Sequence, residues 1–287
     1  MASSPVTGNL SFLKRASFWD EQKPYRLRYT PENGFPVTNF TYESQDVSIH
    51  SLRDEEDKMS LDDSGFEVQK LVSEVPYADF DDYDKVRSVY VQEVVDFVTR
   101  LRGARQITQL RRRHAEFPLS SGTTLKYEQP SNLAHIVDLT LEGARGIIRE
   151  LYGDQAAAIL AGRFEVVTVW KPLRTVTDWP LTMCDARTVD HDKDVIAADA
   201  VYEQYVAENA IVHFSPNFRW YFLPHQTEDE ILLFKCADSR TPEIKGCPHT
   251  AFDWKHDGER YPRESIDLRL LVMFADVDYP TVGPWAL

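Results

Sequence analysis

The chain has 287 residues, 43% hydrophobic and 12% aromatic with six Trp, which suffices for one large or two ordinary domains with a sizeable core. A formal net charge of -14 argues against nucleic acid and against anionic membrane surfaces, both of which call for a basic face. Cys184, Cys236 and Cys247 are too few and too scattered for a disulfide framework, and with no C-x-x-C pair they do not suggest a thiolate zinc site.

Met1 to Leu13 has no basic stretch followed by an apolar run, so no secretory leader is expected. No run approaches ~18 apolar residues, so nothing is expected to span a membrane, and the cytoplasm is the default location. Residues 1–45, rich in Pro, Asn, Ser and aromatics, read as an extended arm around a core. Residues 46–75 alternate, with Val47, Ile49, Leu61 and Phe66 as the apolar members, and predict short strands. The acidic run Asp79 to Asp84 opens a helix. Val86, Val89, Tyr90, Val94, Phe97, Val98 and Leu101 recur at helical spacing and carry it to about Arg105. The basic run Arg111 to His114 reads as a solvated turn or salt-bridging face rather than a phosphate site.

A second helix is expected from Glu142 to Leu160. The stretches Phe164–Trp170, Ile211–Phe214, Trp220–Leu223, Ile231–Cys236 and Ile266–Phe274 then read as short strands separated by turn clusters. There is no internal repeat and no low-complexity linker. The expectation is one β-rich α+β domain over 1–287, a sandwich or barrel with flanking helices.

Several phrases of the C-terminal half carry a resemblance. They are Trp170-Lys171-Pro172-Leu173, Pro180-Leu181, Cys184-Asp185-Ala186-Arg187, Arg219-Trp220-Tyr221, Asp229-Glu230, Phe234-Lys235 and Asp238-Ser239. Pro248-His249-Thr250-Ala251-Phe252 and Arg263-Glu264-Ser265-Ile266-Asp267-Leu268-Arg269 complete the series, with Leu61-Asp62 and Gly65-Phe66 upstream. In this order the chain resembles, from about residue 45 to 275, the gibberellin-desaturase and cephalosporin 7α-methoxylase branch of the iron/2-oxoglutarate oxygenases, with related fungal enzymes of secondary metabolism. The resemblance implies a double-stranded β-helix (jelly roll) and an Fe(II) site of two His and one carboxylate. It also implies an Arg-x-Ser that holds the far carboxylate of 2-oxoglutarate.

The distal half of such a site is present as His249, with Arg263 and Ser265 following; Arg263 lies 14 residues on. The proximal half reads His135-Ile136-Val137-Asp138, one residue longer than the H-x-D that places both ligands on one face of a strand. On a regular strand His135 and Asp138 point apart; a bulge would re-aim one of them. Phe218 also stands where the family often has a histidine before Arg-Trp-Tyr.

Two catalytic readings follow, and a non-catalytic binding protein on the same pocket is a third. The degenerate spacing favours a metal-free descendant without cofactor, similar to the tropolone-sesquiterpenoid hetero-Diels–Alderases, that cyclises a small natural product by proximity and fixed donors. Its candidate donors are Lys171, His249, Arg263 and Arg269, with Trp170, Trp220, Phe218 and Tyr221 as substrate-binding walls. The alternative is an Fe(II)/2-oxoglutarate hydroxylase or desaturase using His135, Asp138 and His249 for iron and Arg263 and Ser265 for the cosubstrate. Either way the partner is a small molecule.

Overall fold

The computed structural model describes residues 4–32, 34–53, 55–110, 135–137, 139–240 and 246–277. Its strands are, in chain order, β1 (Val6–Leu13), β2 (Tyr25–Leu27), β3 (Tyr42–Ser51), β4 (Phe66–Lys70), β5 (Gln106–Gln109), β6 (His135–Val137) and β7 (Phe164–Pro172). There follow β8 (Leu181–Cys184), β9 (Val195–Val201), β10 (Val206–Val212), β11 (Trp220–Phe222), β12 (Glu230–Asp238), β13 (His249–Ala251) and β14 (Ser265–Met273). They form a nine-stranded sheet, β1-β3-β11-β8-β13-β6-β10-β9-β2, and a five-stranded sheet, β4-β12-β7-β14-β5. Apart from the β9–β10 hairpin, neighbours in the sheets are not consecutive in the chain, as in a jelly roll.

Two apolar layers follow from the period of two along the central strands. In the five-stranded sheet, Val167, Val169, Leu233, Leu268 and Leu270 belong to one cluster, which a helix covers. Val166, Trp170, Leu232, Phe234 and Leu271 alternate with them onto the other face and join Met183 and Tyr221 of the large sheet in the main core. Both faces of β7 are therefore covered, and all nine of its residues are buried.

The covering helix starts as α1 (Tyr83–Lys85), where the Asp82 carboxylate accepts from the amides of Asp84 and Lys85. It widens through a π turn at Val86–Tyr90 and continues as α2 (Val91–Arg102). Val91, Val94 and Val98 form its buried stripe. Gly103, at φ +65, ends it, and the Ala104 amide reaches back to the Thr99 carbonyl. The expected second helix is split: α3 (Leu141–Tyr152) is capped by Thr140, whose Oγ1 accepts from the Gly143 amide at 3.0 Å. Gly153 at φ +48 breaks the run before α4 (Ala156–Ala161).

The extended arm expected over residues 1–45 is largely sheet. β1 pairs with β3 along its whole length, and Leu10 and Phe12 alternate into the core. β2 pairs in parallel with β9 at the far edge. The Arg111–His114 run lies outside the described residues.

Candidate active site

His249 opens β13, where register pairs it with Met183 of β8 on one side and with position 135 of β6 on the other. Met183 in turn pairs with Tyr221 of β11, so Tyr221, Met183 and His249 form one row across the sheet. The His249 ring packs on Phe234 of the opposite sheet, centroids 4.4 Å apart. Its Nδ1 lies 3.0 Å from the Cys247 carbonyl. A carbonyl can only accept, so Nδ1 carries a proton, and in the neutral ring Nε2 then carries the lone pair. That is the tautomer a metal-binding imidazole needs, with the orienting hydrogen bond already made.

β6 is irregular at the point the sequence left open. Val137 pairs with Ala210, and position 135 pairs with Ile211, so three residues of β6 oppose two of β10. This is a β-bulge, with Ile136 as the extra residue. The regular strand on which the H-x-x-D spacing would point the two groups apart is not the strand that forms. Asp138 and the His135 side chain lie outside the described residues.

β14 supplies the second part of the site. Ser265, Asp267 and Arg269 pair with Pro172, Trp170 and Thr168, and alternate with Leu268 and Leu270 of the helix-covered face. They therefore share the face of Trp170 that meets the large sheet. Arg263, just before the strand, is half-buried. Its Nη1 donates to the Trp179 carbonyl at 2.7 Å, and its guanidinium lies 5.5 Å from the Trp170 ring centroid. Burial draws its pKa down to about 10 against the pull of Asp267 and Asp178, which leaves it charged at neutral pH. Among the described residues no carboxylate comes within ion-pair distance of it.

Other sequence candidates fall elsewhere. Lys171 is one step from Trp170 and shares the face of Val167 and Val169, toward α2. Its Nζ donates to the Glu228 carbonyl, and burial lowers its pKa. Trp220 is likewise one step from Tyr221; it packs edge-on against Phe12 and Phe218, with centroids at 6.2 and 6.1 Å. Lys171, Trp220 and Phe218 thus do not join the row that carries His249, whereas Trp170 and Tyr221 lie on the facing surfaces. Lys171→Met is accordingly expected to leave the turnover number within about twofold of the parent, measured with whichever substrate the enzyme turns over. A loss beyond tenfold with the fold intact would return Lys171 to the site.

An ionic cluster, buried at Glu165, Asp238 and Lys235 and open to solvent at Asp62, was not foreseen from the sequence. Carboxylate oxygens of Asp62, Glu165 and Asp238 lie within 4.8 Å of one another, a spacing that could hold a cation. Three cationic side chains already occupy it. Lys235 Nζ is 2.8 Å from Asp238 and 3.1 Å from Asp62, Arg102 Nη2 is 2.8 Å from both Glu165 and Asp62, and Arg163 pairs with Glu165. The three positive charges balance the three negative ones, so the cluster is an internal salt lattice rather than a metal centre.

The two sheets of this jelly roll thus bring together an imidazole held by its Nδ1 on one and, just before β14 in the other, a charged guanidinium with no carboxylate among the described residues at ion-pair distance. A family model described as "Oxidoreductase/YMDC permease-like domain" matches residues 10–273, and the chain belongs to that family. It is 31% identical over 257 residues to the Fe(II)/2-oxoglutarate-dependent dioxygenase nvfI of Aspergillus novofumigatus, covering 85% of this chain and 89% of the relative. It is 28% identical over 262 residues to the hydroxylase/desaturase efuI of Hormonema carpetanum, covering 83% and 87%. The solved structure of the iron and alpha-ketoglutarate-dependent endoperoxidase NvfI superposes with a TM-score of 0.80 at 26% identity, over 95% of this chain and 99% of that one. By their names, the nvfI relative and the NvfI structure are iron- and 2-oxoglutarate-dependent enzymes, and efuI is a hydroxylase/desaturase. No described helix is long and apolar enough to cross a membrane.

Proposed function

We propose that the chain is an Fe(II)/2-oxoglutarate-dependent oxygenase that hydroxylates or desaturates a small natural product. The observation that carries this reading is the bulge at Ile136, next in the strand to position 135, which pairs with His249. The metal-free reading rested on an H-x-x-D spacing that a regular strand cannot reconcile with two ligands on one face. A bulge absorbs one residue, so the spacing no longer argues against a metal. The donor set fits a first-row metal: the imidazole of His249 presents Nε2, and position 135 stands directly across the ladder. His135, Asp138 and His249 would hold Fe(II), and Arg263 with Ser265 would hold 2-oxoglutarate.

Iron with 2-oxoglutarate and O₂ supplies the oxidising power to break an unactivated C–H bond. The rest falls to the protein's own groups. The Cys247 carbonyl fixes the orientation of the His249 ring. Arg263 offers a desolvated, charged fork to a carboxylate, the geometry in which a guanidinium binds most strongly. Trp170 walls the guanidinium on one side, and Phe234 backs the imidazole. Tyr221 and Arg269, on the facing surfaces, are the candidates to orient the substrate.

Calorimetry with 2-oxoglutarate tests this directly. In the presence of Mn(II), a redox-quiet substitute, the protein is expected to bind 2-oxoglutarate, and Arg263→Met to weaken that binding by at least about 100-fold. Parent protein that binds no 2-oxoglutarate but still converts a substrate would return the metal-free cyclase to first place.

A further inference from the structure

Trp179 has φ 44, and among the described residues only one other non-glycine residue, His225 at φ 49, has positive φ. A bulky side chain rarely adopts this region, and Trp179 also precedes Pro180, where the backbone favours φ of about −120°. Such a conformation persists only where its surroundings over-determine it, and it tends to mark a working site. The surroundings here are explicit. Three consecutive residues are each tied to the segment that leads into β14. The Thr177 carbonyl accepts from His256 Nε2 at 2.8 Å, and Thr177 Oγ1 accepts from the Tyr261 amide at 2.9 Å. Asp178 accepts from Arg260 Nε at 3.0 Å, and the Trp179 carbonyl accepts from Arg263 Nη1. The other left-handed residue serves the same kind of contact: the carbonyls of Pro224 and His225 both accept from Arg53. At both of these described positions, left-handed non-glycine backbone occurs where a carbonyl is turned onto a guanidinium.

We propose that Trp179 is a positioning residue, whose left-handed backbone aims its carbonyl at Arg263 and fixes that guanidinium against the Trp170 ring for an incoming carboxylate. This rests on the proposed function, in which Arg263 receives the far carboxylate of 2-oxoglutarate. The contribution lies in the backbone and not in the indole, which separates it from an ordinary packing role. A single anchored Nη1 leaves the other N–H groups of the fork in a fixed orientation, so less rotamer freedom is lost when the dicarboxylate binds.

The test is a series at position 179, titrated with 2-oxoglutarate in the presence of Mn(II), with Mn(II) affinity and melting temperature recorded alongside. Glycine adopts positive φ at no steric cost, so Trp179→Gly is expected to keep the dissociation constant within about twofold of the parent. Trp179→Val, β-branched and unable to hold φ > 0 without strain, is expected to raise it at least about tenfold while Mn(II) affinity stays unchanged. A merely structural role would lower Mn(II) affinity and stability together. If the Gly and Val variants bind alike, whether both weakly or both as the parent does, the proposal is overturned. Should Trp179→Val fail to fold, Trp179→Ala replaces it: binding more than about threefold weaker than Trp179→Gly supports the proposal, and equal binding overturns it. Parent protein that binds no 2-oxoglutarate at all removes the functional reading first, and this proposal with it.

Discussion

Loaded anaerobically, the protein is expected to bind one equivalent of Fe(II) and, on addition of 2-oxoglutarate, to consume oxygen; His249→Ala is expected to lower both by at least about 100-fold. His249 already has its Nδ1 proton committed to a backbone carbonyl and its ring packed on Phe234, so the orientation of the ring is preset. His135→Ala is expected to show a comparable loss, because the bulge removes the geometric objection to that histidine as a ligand. The sharper contrast is Ile136 deletion, which restores a literal H-x-D. If the bulge already does this work, deletion shifts the register against β10 and weakens iron binding; if it does not, deletion strengthens it. Elemental analysis and oxygen-electrode traces give the readings. Less than a tenth of an equivalent of iron in protein that still turns over a substrate would contradict the oxygenase reading.

The second large effect concerns stability. Lys235→Met is expected to destabilise the fold by about 3–5 kcal/mol, the cost of leaving buried carboxylates without one of their cations. Lys235, Glu165 and Asp238 are fully buried at the side chain, so water cannot take over the lost pairing. The expected fall in melting temperature is on the order of 10 °C, read by calorimetry or circular dichroism. The same lattice sets an acid limit. Burial alone would raise the Asp238 carboxyl, but hydrogen bonds from Lys235 and the Arg240 amide, with Arg163 nearby, outweigh it and hold the group below its usual range. Arg102 holds Asp62 down more strongly, against burial and with help from Lys235. Both carboxyls are therefore more acidic in the native state than in the unfolded chain. Their contribution is complete above the unfolded value of about 4 and is lost as pH falls through the depressed native values. Loss of stability should steepen below about pH 4 in the parent and less so in Lys235→Met. A variant as stable as the parent at pH 7 would show that the cluster adds nothing.

The sequence by itself determined the family resemblance, the jelly roll it implied and the central strands β7, β12 and β14, which read as short apolar or alternating runs. It also marked His249 and the Arg263-Glu264-Ser265 phrase, since those lie in short contiguous stretches. Other features were decided only by tertiary structure, each for a physical reason. A bulge is a mismatch between two strands, and Ile136 becomes an extra residue only against β10, some seventy positions downstream. Trp170 and Lys171 were both expected at the site, although neighbours on a strand face opposite ways; both faces of β7 are buried, so polarity could not say which one meets the site. Tyr221 and Trp220 posed the same ambiguity. Asp62, Arg102, Glu165 and Lys235 come from four separate segments, and their charges find one another only when helix, loop and sheet converge. The left-handed Trp179 runs against local preference altogether: the residue type and the proline after it both favour extended backbone, and only the contacts of the 256–263 segment hold it in place.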